Sequence, residues 1–339
     1  MRRSIPIAAC AIIMSLVPMF GQGPTLVGAG YANPTQIQVA PGQVATLFIS
    51  GLKTVLSQPL RATSLPLPNS LGGISVTVSQ PSSPSFPVPL LAVQQTPVCG
   101  NAGAPPQPFP ASPTPECVIT AITVQIPYEI VPPQLGSDKS INPNVNVVVT
   151  ENGSDSKTFT ITSVADNFHV LNACDAFLFL PTNRLGGCNA VVTHGDGTVV
   201  TLDSPAKAGE VVVIYAFGLG ATTPTPKTGQ ASPTPAAVLS SFVYFQFDFR
   251  PNATPSRPYL NPLIMAPIQA PVFVGLTPGQ VGLYQINVKL PGTFPAVQGC
   301  NGASTTSGGS INVVYSNLTI DIAGVSSFDG AAICVQPPQ

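Results

Sequence analysis

Two segments of this 339-residue sequence share one design, and their repetition constrains the fold more than any other feature. Residues 41–52 read PGQVATLFISGL and residues 208–220 read AGEVVVIYAFGLG. Each has a glycine-containing turn followed by a run of β-branched and aromatic residues, which is typical of a strand buried on both faces. The equivalent turn glycines are Gly42 and Gly209, one in each half of the chain. We interpret the two copies as related β-domains in tandem.

Further segments repeat in the same order in both halves. Residues 72–80 alternate apolar and polar side chains, as a half-buried strand does. Residues 145–150 and 158–163 flank an Asn-Gly turn, which strongly indicates a β-hairpin. In the second half, residues 242–249 are predicted to form a strand. Residues 281–291 are predicted to match the segment ITAITVQIP of the first half, with Gln285 opposite Gln125. Residues 310–322 are predicted to match the Asn-Gly hairpin, with a shorter turn.

This pattern predicts an all-β chain with two tandem immunoglobulin-like Greek-key β-sandwich domains. The 40 prolines and 30 glycines fit many turns, and no ten-residue amphipathic helix pattern is found. We expect the first domain at residues 33–165 and the second at 166–339, the latter beginning with an insertion over residues 168–201. Limited proteolysis is expected to separate the two domains near residues 163–168.

The N-terminus has the pattern of a secretory signal peptide, predicted over residues 1–32. Arg2 and Arg3 precede an apolar run over residues 5–20, and a region of small residues follows. Cleavage is expected after Ala32, with Ala29 as the alternative site. An uncleaved membrane anchor is the competing interpretation, but the run is shorter than the roughly 20 apolar residues that a span needs. We therefore expect a secreted or extracellular protein, with periplasmic or cell-surface retention as the alternative. We expect no membrane span in the mature chain.

Six cysteines remain once Cys10 leaves with the signal peptide, and an even number in an exported chain suggests three disulfides. Six cysteines allow 15 connectivities. Pairing between neighbours is the simplest: Cys99 with Cys117, Cys174 with Cys188, and Cys300 with Cys334. A metal site is the weaker interpretation, because no pair has CxxC spacing and the sequence contains 2 histidines.

Charge composition argues against several classes of partner. Charged residues make up 7% of the chain and the net charge is −1, so we expect no nucleic-acid partner. Four acidic positions in loops between strands are candidates for calcium, but the EF-hand pattern is absent and 13 acidic residues are few for a cage. Those positions are Asp138, Glu151, Asp155 and Asp166. We expect neither a bound metal nor a cofactor.

One stretch places histidine and aspartate together, at His194-Gly195-Asp196-Gly197. A catalytic or metal-binding role for His194 and Asp196 would need further groups nearby, and Asp203 and Glu210 follow within 16 residues. The favoured interpretation is an Asp-Gly hairpin turn. Because no GxSxG elbow is present and helices are missing, we expect no hydrolase and no catalytic residues.

A second candidate site lies in the sequence SSFVYFQFDFRP. Alternate residues Phe245, Phe247 and Phe249 share one face of a strand, and core packing is the better explanation for them. Tyr244, Gln246 and Asp248 would then point outward. They form a modest polar-aromatic face that a ligand could use.

Several phrases together resemble a known family. APGQVATLFISGL, ITAITVQIP, THGDGTVV, SPAKAGEVVVIYAFGLGATTP and LTPGQVGLYQINVKLP cover both halves, most tightly residues 193–291. They resemble an uncharacterised carboxy-terminal domain, of the Solibacter type, that is abundant in secreted acidobacterial proteins. The resemblance implies an immunoglobulin-type β-sandwich and export, and it carries no assigned catalytic residues.

The sequence therefore predicts an exported, non-enzymatic structural or protein-interaction module at the cell surface or outside the cell. Its partner would be an unknown protein or glycan. The alternative is a carbohydrate-binding or adhesive module that uses the loops of the second domain.

Overall fold

The computed structural model describes residues 25–30, 38–81, 83–98, 115–133, 141–175, 189–255, 269–302, 306–307, 310–311 and 313–338. These residues form β-strands and connecting turns, with one turn of 3₁₀ helix at Pro115–Cys117. The predicted all-β fold class is confirmed.

In the first half, the described residues form eleven strands in two sheets. They are β1 Thr25–Gly30, β2 Gln38–Val39, β3 Val44–Ser50, β4 Leu60–Arg61, β5 Ser70–Leu71, β6 Ile74–Ser79, β7 Phe86–Val88, β8 Leu90–Pro97, β9 Val118–Gln125, β10 Asn144–Glu151 and β11 Ser154–Ser163. One sheet has the order β1-β3-β9-β8-β4 and the other β2-β11-β10-β6-β5, with β7 also paired to β6. The orders β1-β3-β9-β8 and β11-β10-β6 are the ABED and GFC orders of an immunoglobulin domain.

The two sheets of the first half pack face to face around one core. Leu47 and Ile122 come from the first sheet, Val76 and Val147 come from the second, and all four are fully buried in the same cluster. The burial of β6 alternates strictly along the strand, as its sequence predicted. The predicted Asn-Gly hairpin joins β10 to β11, with Asn152 and Gly153 at φ values of 46° and 82°. Positive φ at both central residues is what a type I′ turn requires.

The second half contains the remaining strands and repeats the same topology. They are β12 His169–Val170, β13 Val192–Thr193, β14 Val211–Phe217, β15 Thr222–Thr223, β16 Val238–Leu239, β17 Tyr244–Asp248, β18 Phe273–Leu276, β19 Leu283–Lys289, β20 Thr306–Ser307, β21 Ser310–Ile311, β22 Leu318–Ala323 and β23 Phe328–Ile333. The order β12-β14-β19-β18 corresponds to ABED, and β17-β22-β23 corresponds to CFG. A shared core joins these two sheets, with Ile214 and Ile286 facing Phe245 and Ile320.

Equivalent positions of the two copies also occupy equivalent places in the structure. Strands β3 and β14 have the same length, and each begins at the second position after its turn glycine, Gly42 or Gly209. Val39 pairs in parallel with the end of β11, and Ala206, at the equivalent position of the second copy, makes the parallel bridge to Val335. The immunoglobulin-like repeat is therefore structural as well as sequential.

Two of the predicted correspondences are wrong. The last hairpin joins β22 to β23 across residues 324–327, whereas Ser310–Ile311 pairs with Thr306–Ser307 in a separate small sheet. By register, Gln125 faces Val44 and Lys289 faces Val211, so the counterpart of Gln125 is Lys289 and not Gln285. Both errors come from matching letters in apolar runs, where a shift in alignment leaves the hydrophobic pattern plausible.

Strand β1 lies within the predicted signal peptide, residues 1–32. Residues 25–30 pair antiparallel with β3 and complete the A position of the first sandwich. Cleavage after Ala29 or Ala32 would remove most or all of this strand from the sheet. The positively charged and apolar parts of the predicted leader, residues 1–24, lie outside the described residues. Within the described part of the chain, no helix is long and apolar enough to span a membrane.

The two sandwiches meet in an interface that the sequence did not predict. The buried side-chain oxygen of Gln125 accepts a hydrogen bond from the Gly229 amide at 2.7 Å, and the Leu67 amide donates to the Gly229 carbonyl at 2.8 Å. Beside them, Val44 of the first half packs with Phe217 of the second. Polar and apolar contacts thus join the two halves away from the linker.

The linker between the sandwiches is itself held in place. Asp166 and Asn167 are 3% and 5% exposed. The Asn167 side chain donates to the Gln38 carbonyl at 2.8 Å, and its amide donates to the Gly218 carbonyl at 2.9 Å. A protease needs an extended, accessible backbone, so these contacts argue against the predicted cleavage at residues 163–168.

The structure contains the predicted disulfide between Cys300 and Cys334, whose Cα atoms are 6.0 Å apart. It links the loop before β20 to the end of β23. Cys117 and Cys174 are also disulfide-bonded. Their predicted partners, Cys99 and Cys188, lie outside the described residues, so those two pairings stay predictions.

Candidate functional site

The segment around His194 forms the hairpin turn that its sequence predicted. The His194 amide donates to the Thr198 carbonyl at 2.8 Å, and Gly197 adopts a φ of 88°. Asp196 Oδ1 accepts hydrogen bonds from the Thr198 amide at 2.9 Å and the Thr198 hydroxyl at 2.7 Å. These bonds lower the pKa of the Asp196 carboxyl. Asp196 is therefore a turn-stabilising residue.

The acidic partner of His194 is Glu210 and not Asp196. His194 Nδ1 lies 2.5 Å from Glu210 Oε1, and Nε2 lies 3.2 Å from both the hydroxyl and the carbonyl oxygen of Ser204. Glu210 is fixed in turn by the Lys207 amide, which donates to Oε2 at 2.8 Å. The sequence indicated Glu210 as a neighbour of His194. It gave no signal for Ser204, because Ser204 reaches His194 only through the conformation of the loop that carries it.

These residues line a polar pocket of about 920 Å³ that also includes Asp203 and Lys207. The pocket lies where the insertion hairpin meets the turn before β14. An imidazole whose one nitrogen is held by a carboxylate can take the proton of a hydroxyl at its other nitrogen, which is the arrangement that general-base catalysis uses.

Strand β17 has the alternation predicted for its phenylalanines. Phe245 is 2% exposed and meets Phe247 edge-on at 5.1 Å between ring centroids, and Phe249 continues the row to Phe294 at 5.6 Å. Tyr244 lies on the opposite face and is 37% exposed. The phenylalanines belong to the core and its margin, as the sequence indicated.

Tyr244, Gln246 and Asp248 do not form one open face. Asp248 is engaged by Arg250, whose guanidinium lies 2.5 Å from Oδ2 and lowers the pKa of the carboxyl. On the same side of the sheet, the Thr319 hydroxyl donates to the Ala253 carbonyl at 2.9 Å. The chain after β17 therefore covers the Asp248 end of this face. The open part of the face is at Tyr244.

An apolar groove extends the surface at Tyr244. Phe242, Tyr244, Val325 and Phe328 line a cavity of about 320 Å³ together with residues 323–327. Phe242 is 74% exposed, and its ring lies nearly parallel to that of Tyr244, with centroids 6.3 Å apart. We call these four side chains the aromatic groove. Period-2 alternation places Phe242 on the face of Tyr244, but Phe328 joins it through the order of strands β17, β22 and β23.

Asp166 shapes one wall of the aromatic groove from the interdomain linker. Its carboxylate accepts hydrogen bonds from the amides of Val325, Ser326 and Ser327 at 2.8 to 3.0 Å, and from the Ser327 hydroxyl at 2.7 Å. The turn between β22 and β23 is therefore bound to the junction of the two sandwiches. Among the described residues, no group of three or more histidine, cysteine, aspartate or glutamate side chains is placed to hold a metal ion.

The second histidine, His169, lies between two carboxylates close to this junction. Its Nε2 is 3.0 Å from Asp175 Oδ1 and its Nδ1 is 3.2 Å from Asp329 Oδ2. Burial by itself lowers the pKa of His169, but hydrogen bonds and charge from Asp175 and Asp329 outweigh it and raise the pKa to about 9. The imidazolium links β12 to β23 across the second sandwich.

Stability should therefore fall as the pH rises from the ordinary histidine range toward 9. A raised folded-state pKa contributes stability that is complete below about 6.5 and is lost as the pH passes through about 9. We expect a loss of about 1–3 kcal/mol over that window, measured by urea unfolding at each pH. His169→Gln should be less stable at low pH and should lack this dependence. An unchanged pH profile in His169→Gln would contradict the assignment.

Comparison with known proteins adds little to this geometry. No protein-family model and no curated protein matches the chain. Among solved structures, a chain named BspA_C_mut aligns at 10% identity over 94% of this chain and 99% of its own length, with a TM-score of 0.19. The C-terminal domain of the Streptococcus agalactiae AgI/II polypeptide BspA aligns at 9% identity over 93% of this chain and 100% of its own, with a TM-score of 0.18. Scores this low support no inference about a shared fold or function.

Proposed function

We propose that the chain is an exported protein-interaction module at the cell surface or outside the cell, and that the aromatic groove is its binding site. The observation that carries this proposal is the exposure of Phe242, Tyr244, Val325 and Phe328 around one cavity. Exposed apolar clusters on a soluble domain commonly mark interaction sites. Aromatic residues are also the side chains that most often dominate binding energy at protein interfaces.

The chemistry of the groove favours an apolar side chain of a protein partner. Its lining consists of aromatic, aliphatic, glycine and serine residues, with no charged side chain among them. A volume of about 320 Å³ suits one or two large side chains. The backbone of the turn over residues 324–327 supplies a rigid rim, because Asp166 already binds its amides.

The test compares capture of proteins from the native envelope and secretome by the oxidised chain and by its variants. We expect Phe242→Ala with Phe328→Ala to reduce capture of a specific partner at least tenfold, since two hot-spot aromatics each contribute about 1–2 kcal/mol or more. Tyr315→Ala is the matched control, because Tyr315 is an exposed aromatic residue near the other end of β22. Equal capture by all three proteins would refute the groove as the binding site.

A carbohydrate is the second candidate ligand. The nearly parallel rings of Phe242 and Tyr244 resemble the aromatic platforms on which sugars stack. A glycan array separates the candidates: a signal from the unaltered chain that Tyr244→Ala abolishes would favour the sugar. Protein capture without any glycan signal would favour the protein partner.

A further inference from the structure

We propose that Ser204 is an activated nucleophile, which His194 and Glu210 make reactive toward small carboxylic esters in the polar pocket. This activity goes beyond the proposed binding function and does not depend on it. The pocket lies near Val335, after the end of β23, whereas the aromatic groove lies at the beginning of β23.

The geometry has the two contacts that connect the three groups such a serine requires. Ser204 Oγ is 3.2 Å from His194 Nε2, and His194 Nδ1 is 2.5 Å from Glu210 Oε1. The glutamate carboxylate accepts a hydrogen bond from Nδ1–H, so the neutral imidazole presents its Nε2 lone pair to the serine hydroxyl. A nucleophile, a base and a group that orients the base are thus connected by hydrogen bonds.

Backbone contacts hold each member in position. Ser204 and Thr201 exchange hydrogen bonds at 3.0 Å, from the Thr201 amide to the Ser204 carbonyl and from the Ser204 amide to the Thr201 hydroxyl. The Leu290 amide donates to the Glu210 carbonyl at 2.7 Å, which ties Glu210 to the end of β19. The side chains of His194 and Glu210 are only 14% and 20% exposed, so water screens their contact weakly.

The Ser204 carbonyl oxygen lies 3.2 Å from Nε2, the same distance as the hydroxyl. It can accept a hydrogen bond from Nε2 only after that nitrogen has gained a proton. The carbonyl therefore stabilises the imidazolium that forms during the reaction, alongside the Glu210 carboxylate.

The reaction is a two-step acyl transfer. Ser204 Oγ forms a bond to the ester carbonyl carbon while its proton passes to His194 Nε2, and the carbonyl π electrons move to oxygen. The tetrahedral oxyanion collapses, the bond to the alcohol oxygen breaks, and the departing alkoxide takes the proton from Nε2. Water then repeats the sequence on the acyl-serine, which releases the acid and restores Ser204. Lys207 lines the same pocket, and we assign its positive charge to stabilising the oxyanion.

This proposal departs from the prediction that the chain has no catalytic residues. That prediction rested on the missing GxSxG elbow and the missing helices, and on the interpretation of His194-Gly195-Asp196-Gly197 as an Asp-Gly turn. The structure instead gives His194 two other partners, Glu210 from the turn before β14 and Ser204 from a loop that has no recognisable motif.

The test is labelling of the oxidised, full chain with a fluorophosphonate probe, whose phosphorus forms a bond to the serine oxygen as fluoride leaves. We expect one adduct, located at Ser204 by peptide mapping. His194→Ala should slow labelling by about 10²–10⁴-fold, the usual contribution of a general base. Ser204→Ala should abolish it, and the exposed position of Ser204 makes a folding defect in that variant unexpected.

Two controls separate reactivity from structure. Ser57→Ala, which alters an exposed serine of the first sandwich, should label at the unaltered rate, and urea-denatured chain should not label at Ser204. Release of p-nitrophenol from p-nitrophenyl acetate should follow the same order among the variants. No adduct, an adduct at another serine, or labelling of Ser204 that His194→Ala leaves unchanged would overturn the proposal.

Discussion

Asp166→Ala is expected to lower the free energy of unfolding by about 3–5 kcal/mol. The substitution removes the acceptor of the Val325, Ser326 and Ser327 amides and of the Ser327 hydroxyl. Each buried donor left without an acceptor costs about 1–3 kcal/mol, and water entering the site recovers part of that sum. The effect is large because Asp166 is 3% exposed and belongs to the linker.

Urea unfolding measures this effect, and limited proteolysis locates it. The unaltered chain should resist cleavage at residues 163–168, whereas Asp166→Ala should be cut there. Asp166→Asn keeps one carbonyl oxygen and should lose less stability. Asp203→Ala removes an exposed carboxylate and should change stability by no more than about 0.5 kcal/mol. Cleavage of the unaltered chain at 163–168 would show that the linker contacts do not hold in solution.

The same carboxylate connects three features of the molecule. It lies in the linker, it binds the amides of the turn between β22 and β23, and that turn forms a wall of the aromatic groove. Because Gln125 and Gly229 join the sandwiches on another side, the groove is built on a supported junction and not on a free loop. A binding site needs such support if its apolar side chains are to stay exposed without collapsing together.

The repeated fold was predictable from sequence because its signals are local. Gly42 and Gly209 need positive φ, and the runs that follow them have the composition of buried strands. The Asn152-Gly153 turn likewise specifies its hairpin without help from distant residues. Strand alternation sufficed to put Phe245 inside and Tyr244 outside.

The remaining features depend on residues far apart in sequence. The β22–β23 turn has no Asn-Gly signal and is stabilised by Asp166, which lies in the linker before the second sandwich. Glu210 is the partner of His194 because the insertion hairpin pairs with β14, an arrangement that spacing alone does not specify. Phe328 reaches Tyr244 only through the order of three strands. Local patterns therefore predicted the strands, whereas the sites depend on how those strands are assembled.

The repeat itself supplies a matched pair of substitutions, Gly42→Ala and Gly209→Ala. Both glycines occupy the same turn with nearly equal φ values, 74° and 75°, so both variants should lose about 1–2 kcal/mol from backbone strain. A Cβ on Gly42 would lie only 2.1 Å from the ring of Tyr128, whereas the nearest atom to a Cβ on Gly209 is 3.8 Å away. Gly42→Ala should therefore cost a further 1–3 kcal/mol, about the cost of overpacking.

The extra cost should depend on Tyr128. Tyr128 is half-buried, and burial raises the pKa of its hydroxyl. The Tyr128 amide donates to the Thr228 hydroxyl of the second sandwich at 3.0 Å. Displacing the ring thus disturbs the interface between the domains. In a double-mutant cycle, Gly42→Ala in a Tyr128→Ala background should cost no more than Gly209→Ala does alone. If the two glycine variants are equally stable with Tyr128 in place, the ring does not pack against Gly42 and this part of the interface is wrong.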